Sequence, residues 1–318
     1  MSNELGQFIP LHYHYQMLSD KNRMDAFTAA IADVVLSSHR VVDLGSGTGV
    51  LSYNAAQKGA NVQSVEYNPA MVDCSRQLIA KNPTVGNVEV IHANAAEWMS
   101  DEPVDVVICE MLHSALIREK QVEVISRFRD EHFKRFGKTP VFMPTATLLA
   151  VQPVLQDYDF AGFHAPVPLF EDAYAKNDSL IQVCDPHVYK MVDYNDVALD
   201  PIEGDLEFEI QQDCKTNALR FITKSILSMD LVTGKTTDWY NQHMVFPLDG
   251  EIKLKAASKM RIKFNYAPGD SIEKLQKSIQ VDIVPGISDS NIPPNGSRRI
   301  VEFKPKASKP TDSSVKHY

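Results

Sequence analysis

Cysteine is scarce: the 318 residues hold four, Cys74, Cys109, Cys184 and Cys214, none of them in CxxC spacing. That scatter points to reduced, mostly buried thiols rather than a disulfide framework, and indicates no zinc or other metal site. Positive charge is also in short supply, with 32 Lys and Arg against 41 Asp and Glu and a formal net charge of −9. A phosphate backbone needs a basic surface, so nucleic acid is not expected as a partner, whereas a cationic ligand is compatible. No apolar run approaches the roughly 18 residues of a membrane span. The start, "MSNELGQFIPLHYHY", lacks a basic stretch followed by an apolar core, so a cytoplasmic protein without membrane contact is the expectation. Internal repeats are missing, and the length suits two domains.

From residue 24 to 152 helical and strand-like segments alternate. "MDAFTAAIADVVL" has apolar residues at helical spacing, "RVVDLG" is a short apolar strand closed by glycine, and "VLSYNAAQKGA" reads as a helix ending at Gly59. The strand "NVQSVE", the helix "AMVDCSRQLIAKN" and the strands "VEVIHAN" and "VDVVIC" follow, then an amphipathic helix over 115–136 with Ile117, Val124, Ile125 and Phe128 along one face. This rhythm predicts an α/β fold with a Rossmann-like, doubly wound parallel sheet. Near Pro144 the texture changes to short alternating runs, such as "LEFEIQ", "LRFITKSILSMDLV", "MRIKFNY" and "IQVDIVP". They predict an antiparallel, β-barrel-like domain. The expected division is an N-terminal segment 1–23, a doubly wound domain 24–149, a β domain 150–305 and a frayed Pro/Ser/Lys-rich tail 306–318.

The strongest local signal is "VVDLGSGTGVLS", a strand running into Gly45, Gly47 and Gly49 before a helix. Glycines there permit a tight turn and a close approach of a ligand to the backbone. A dinucleotide fingerprint would need a further glycine at 50, where the chain has Val50, which disfavours a nicotinamide dehydrogenase. GxGxG with an acid, Asp43, two residues ahead instead matches the S-adenosylmethionine pocket of class I methyltransferases. Glu66 closes the second strand, where a carboxylate can accept from both ribose hydroxyls, and Asn94 follows the third, within reach of an adenine amino group. Each piece alone also fits an ordinary turn or helix cap.

"ICEMLHSALIREKQ" raises a different question. It holds Glu110 directly after an apolar strand and Glu119 nine positions later. On one straight helix the two would lie about 13–14 Å apart along the axis and on opposite sides. A shared cleft therefore requires Glu110 to end a strand and the chain to bend before a helix begins near Ser114. Taken alone, Glu119 reads as a solvated helix charge.

At these residues the chain resembles the protein arginine methyltransferase branch of the class I methyltransferases. "HYQMLSDKNRMDAF" is similar to that family's cofactor-covering helix, "SVEYNP" to a cofactor motif, "VFMPTATLLAV" to the strand entering its barrel, and "CEMLHSALIREK" to its double-glutamate loop. The resemblance implies S-adenosylmethionine as cofactor, with S-adenosylhomocysteine as product. It also implies that Arg23 binds the methionyl carboxylate, that His14 and Met17 line the pocket, and that Glu110 and Glu119 hold a substrate guanidinium. It further implies homodimerisation through an arm over 157–180.

The match departs from the family around the acceptor. The barrel motif Thr-His-Trp is here "TDW", Thr237 to Trp239, so that Asp238 stands where a histidine would pair with Asp20. Phe8 replaces a tyrosine and His113 a glycine. Two neighbouring carboxylates repel or share a proton unless a cation sits between them. With Asp20, His113, Asp238 and Trp239 at the acceptor side, the reading leans to free arginine or another small guanidino compound over protein arginine. Methyl transfer to a different amine or hydroxyl, and a non-catalytic binder, are the alternatives.

Overall fold

The structure is a computed structural model describing residues 9–285. Phe8, the end of the expected β domain and the tail 306–318 lie outside the described residues. The first part of the chain runs α1 (Leu11–Ser19), α2 (Lys21–Val34), β1 (Arg40–Leu44), α3 (Val50–Gln57), β2 (Asn61–Glu66), α4 (Pro69–Lys81), β3 (Asn87–His92), β4 (Val106–Cys109), α5 (Gln121–Phe136) and β5 (Val141–Met143). β1 to β5 form one parallel sheet in the order β3-β2-β1-β4-β5. β1 and β4 are its centre, and apart from Arg40 every residue of both is buried, which is why they read as continuous apolar runs. Strand order reverses between them, the place where ligands bind in such sheets.

Beyond it come β6 (Ala146–Gln156), β7 (Asp159–Phe160), β8 (Phe163–His164), β9 (Leu169–Glu171), β10 (Leu180–Gln182), β11 (His187–Asp193), β12 (Ile202–Glu209), β13 (Cys214–Met229), β14 (Thr236–Tyr240), β15 (His243–Leu254), β16 (Lys259–Tyr266), α6 (Ile272–Ser278) and β17 (Gln280–Val284). These strands pair antiparallel, as expected, but in separate sheets: one built on β6, β13 and β15, one of β12, β16 and β17, and the small β7–β8 hairpin. No closed barrel forms among the described residues. The main apolar core runs through both lobes, from Phe27 and Val42 to Phe221 and Tyr266, and a small second cluster gathers Val154, Tyr158, Ala218 and Val245. Burying each such phenylalanine contributes roughly 1.5–3 kcal/mol.

Two elements differ from the sequence reading. The segment expected as one N-terminal helix breaks at Asp20, whose carboxylate caps α2 by accepting from the Arg23 amide at 3.0 Å. The helix expected over 115–136 starts only at Gln121. Ahead of it the chain makes a short turn, Ser114–Leu116, with Ala115, Leu116 and Arg118 at positive φ, a geometry no continuous helix allows.

Candidate active site

The glycine turn follows directly from the sheet. Gly45, Gly47 and Gly49 all have positive φ, at 74°, 55° and 78°. A Cβ on Gly47 would stand 2.9 Å from the His14 ring, so the bare backbone here is what lets α1 close over the turn. Asp43 is buried and accepts from Ser52 Oγ at 2.6 Å, and burial pushes its carboxyl up to about 6. Glu66 accepts from the amides of Gly47 at 2.9 Å and Asn68 at 2.8 Å, which ties the second strand end to the turn.

Glu110 leaves β4 beside this turn, because Leu44 and Cys109 are partners in the parallel ladder and Gly45 and Glu110 are the next residue of each strand. Its carboxylate is ion-paired with Arg23, whose side chain is 7% exposed, and the Arg23 guanidinium also lies over the Phe27 ring at 5.5 Å. The sequence reading assigned Arg23 to a cofactor carboxylate; in this structure its partner is Glu110. Glu119 comes back to the same place once the 110–120 loop has bent. Burial pushes its carboxyl up to about 7, with the Glu110 charge adding to the rise and Arg118 opposing it.

One cavity is lined by His14, Met17, Arg23, Asp43, Gly45, Gly47, Glu66, Asn94, Glu110 and Glu119. Five expected site residues do not line it. Gly49 packs against α4, where a Cβ would meet Ser75 Oγ at 2.6 Å, so its role is helix packing. Asp20 is the cap of α2, and His113 is turned onto Phe170, ring centroids 5.6 Å apart. Trp239 packs on Phe27 at 5.9 Å. Asp238 has found a cation the sequence reading did not name: Lys224 Nζ lies 2.6 Å from its Oδ2. Met111, which a Cβ on Gly45 would strike at 2.8 Å, was also missed, although its position after Glu110 could have suggested it.

Residues 41–130 match the family described as Methyltransferase domain. An uncharacterized protein of Methanocaldococcus jannaschii is 28% identical over 269 residues, 84% of this chain and 96% of that one. Protein arginine N-methyltransferase PRMT10 of Arabidopsis thaliana is 33% identical over 171 residues, 51% of this chain and 44% of that protein. The crystal structure of Arabidopsis thaliana protein arginine methyltransferase 10 superposes with a TM-score of 0.67 at 19% identity, covering 80% of this chain and 87% of that one. The Trypanosoma brucei PRMT1 enzyme–prozyme heterotetrameric complex with AdoHcy gives 0.64 at 17%, covering 86% and 98%. Residues 41–130 are thus a methyltransferase domain, and the chain is PRMT-like in sequence and fold. Its cofactor is S-adenosylmethionine. The cavity fits that group: a bare glycine turn, a carboxylate at each of the first two strand ends, and a polar residue, Asn94, beyond the third.

Proposed function

We propose that this PRMT-like methyltransferase transfers a methyl group to a guanidino nitrogen of arginine, with free L-arginine or a related small guanidino compound favoured over protein arginine. The observation that carries the reading is that Glu110 and Glu119 share the cavity of the glycine turn, and that Glu110 already holds a guanidinium, that of Arg23. A guanidinium is a planar fork of five donors, so two carboxylates on different sides fix its plane as well as its position.

When bound, S-adenosylmethionine supplies an electrophilic methyl group on sulfur. What remains for the protein is placement and charge. Arginine's guanidine has a pKa of about 12.5–13.8, so the acceptor arrives as a cation without a nucleophilic lone pair. Carboxylates that draw the positive charge onto two nitrogens leave the third richer in electrons, and they hold the methylated cation as well. Glu119, whose burial raises its proton affinity toward neutrality, is the group suited to take the proton that leaves. Glu110, partnered by Arg23, is the binder.

The second reading is a protein-bound arginine, favoured by the names of the arginine N-methyltransferase relatives. Labelled S-adenosylmethionine offered with free L-arginine or with an Arg/Gly-rich peptide separates the two, and label on neither removes both. Glu110→Gln and Glu119→Gln are each expected to lower transfer by at least about ten- to hundredfold, the worth of one hydrogen bond to a charged group. Cofactor affinity, followed by calorimetry, should stay near that of the wild type. A homodimer formed through 157–180 is the assembly proposed with this reading.

A further inference from the structure

A free amino acid differs from the same residue in a peptide by two charges, an α-ammonium and an α-carboxylate. A site that selects the free compound must answer both. Outside the cavity lining, on strands hydrogen-bonded to the loop that carries both glutamates, the protein has a matching pair. Lys224 of β13 lies opposite Tyr240 of β14, and its Nζ reaches diagonally to Asp238 Oδ2 at 2.6 Å while lying 5.7 Å from the Tyr240 ring centroid. Both side chains are about three-quarters buried, with 28% and 23% exposure.

The pair is connected to the catalytic loop on one side and to α2 on the other. Thr223, next to Lys224, accepts from the Ala115 amide at 2.7 Å, and Asn241, just past β14, donates to the Leu112 carbonyl at 2.8 Å. Tyr174 accepts from the Tyr240 amide at 2.9 Å and feels the charge of Asp20, the cap of the helix that carries Arg23. Asp238 Oδ1 is inaccessible to solvent and has no hydrogen-bond partner among the described residues. A buried carboxylate oxygen left this way costs free energy unless a donor reaches it.

Resting on the guanidino reading above, we propose that Lys224 and Asp238 form the amino-acid end of the acceptor site: Lys224 binds the α-carboxylate and Asp238 the α-ammonium of free L-arginine. Without substrate the two charges satisfy each other, and a zwitterion exchanges into the pair with every charge still answered. A peptide arginine brings neither charge and can enter only by leaving the pair as it is. Arg220, a more deeply buried cation on the same strand, is a poorer anchor, because Glu171 and Gln152 already engage its guanidinium.

The test is a substrate panel in steady-state kinetics with the full chain: L-arginine, agmatine, which lacks the carboxylate, Nα-acetyl-L-arginine, which lacks the ammonium charge, and an Arg/Gly-rich peptide. The wild type is expected to prefer L-arginine over agmatine and over the acetylated compound by roughly ten- to hundredfold each in kcat/KM. Lys224→Met should collapse the preference over agmatine, Lys224→Arg should keep most of it, and Asp238→Asn should collapse the preference over the acetylated compound. Equal use of L-arginine and agmatine by the wild type overturns the subsite while leaving guanidino transfer intact. An unmoved preference in Lys224→Met overturns it too. Transfer to no guanidine at all removes the underlying reading instead. Should a variant fail to fold, the wild-type panel alone decides.

Discussion

Glu119 is the residue through which pH enters both stability and chemistry. Its carboxyl, ordinarily near 4.5, is pushed up to about 7 by burial first and by the Glu110 charge second. Between those values the native protein holds a proton that the unfolded chain has released. The contribution is therefore fully present below the ordinary value and is lost as pH rises through about 7, by an amount on the order of a few kcal/mol. Melting curves across this window should show stability falling with pH in the wild type, and a flatter dependence in Glu119→Gln, whose side chain does not titrate. Identical slopes would mean that the carboxyl is ionised throughout. An added guanidinium ligand favours the charged form, so it should reduce the wild-type slope. The burial that sets this behaviour could not be read from "REKQVE", a run that looks solvated.

At the scale of elements, the decisive one is the bend between β4 and α5. Three non-glycine residues there, Ala115, Leu116 and Arg118, sit at positive φ, each at a cost of roughly 1–2 kcal/mol. Contacts from the second lobe hold them: Thr223 at the Ala115 amide, the Gln242 carbonyl at Ser114 Oγ, and the Asp270 carbonyl at the Arg118 amide, 2.8 Å away. Thr223→Val keeps the shape of the side chain but leaves the buried Ala115 amide unpaired, which should cost about 1–3 kcal/mol. Because the loop carries both glutamates, the variant is also expected to raise KM for the acceptor while sparing cofactor affinity. A lowered melting temperature with unchanged KM would show that the loop keeps its shape without this anchor. This dependence explains what was legible. The parallel sheet and the glycine turn follow from local pattern, and the need for a bend followed from helix geometry alone. The 121 start of α5 did not, because it is imposed by strands more than a hundred residues away. Lys224 escaped for a related reason. Its pairing with Asp238 depends on the β13–β14 register, which shifts between Ile226 and Ser228, on the way to a turn in which the Asp230 carboxylate accepts from Thr233 Oγ1 at 2.7 Å. The runs "LRFITKSILSMDLV" and "TDW" were visible in the sequence, but their alignment was not.

At the scale of the whole molecule, the arm is left with apolar surface that nothing among the described residues covers. Phe160 and Phe163, the cross-strand pair of the β7–β8 hairpin, are 52% and 72% exposed. A two-stranded hairpin is marginal by itself, and a single lobe gains nothing by presenting two phenylalanines at its tip. A second copy of the chain is the expected cover, since a two-fold interface buries such a patch twice. Light scattering should give the mass of a dimer for the wild type and a monomer for Phe160→Ser combined with Phe163→Ser. The substitutions are exposed, so the melting temperature of the monomer should differ little at concentrations where the wild type is itself dissociated. At higher concentration the wild type alone should gain stability, because association favours the folded state by mass action. A wild-type monomer at every concentration would assign the arm another role. A dimer that survives both substitutions would move the interface elsewhere on the surface.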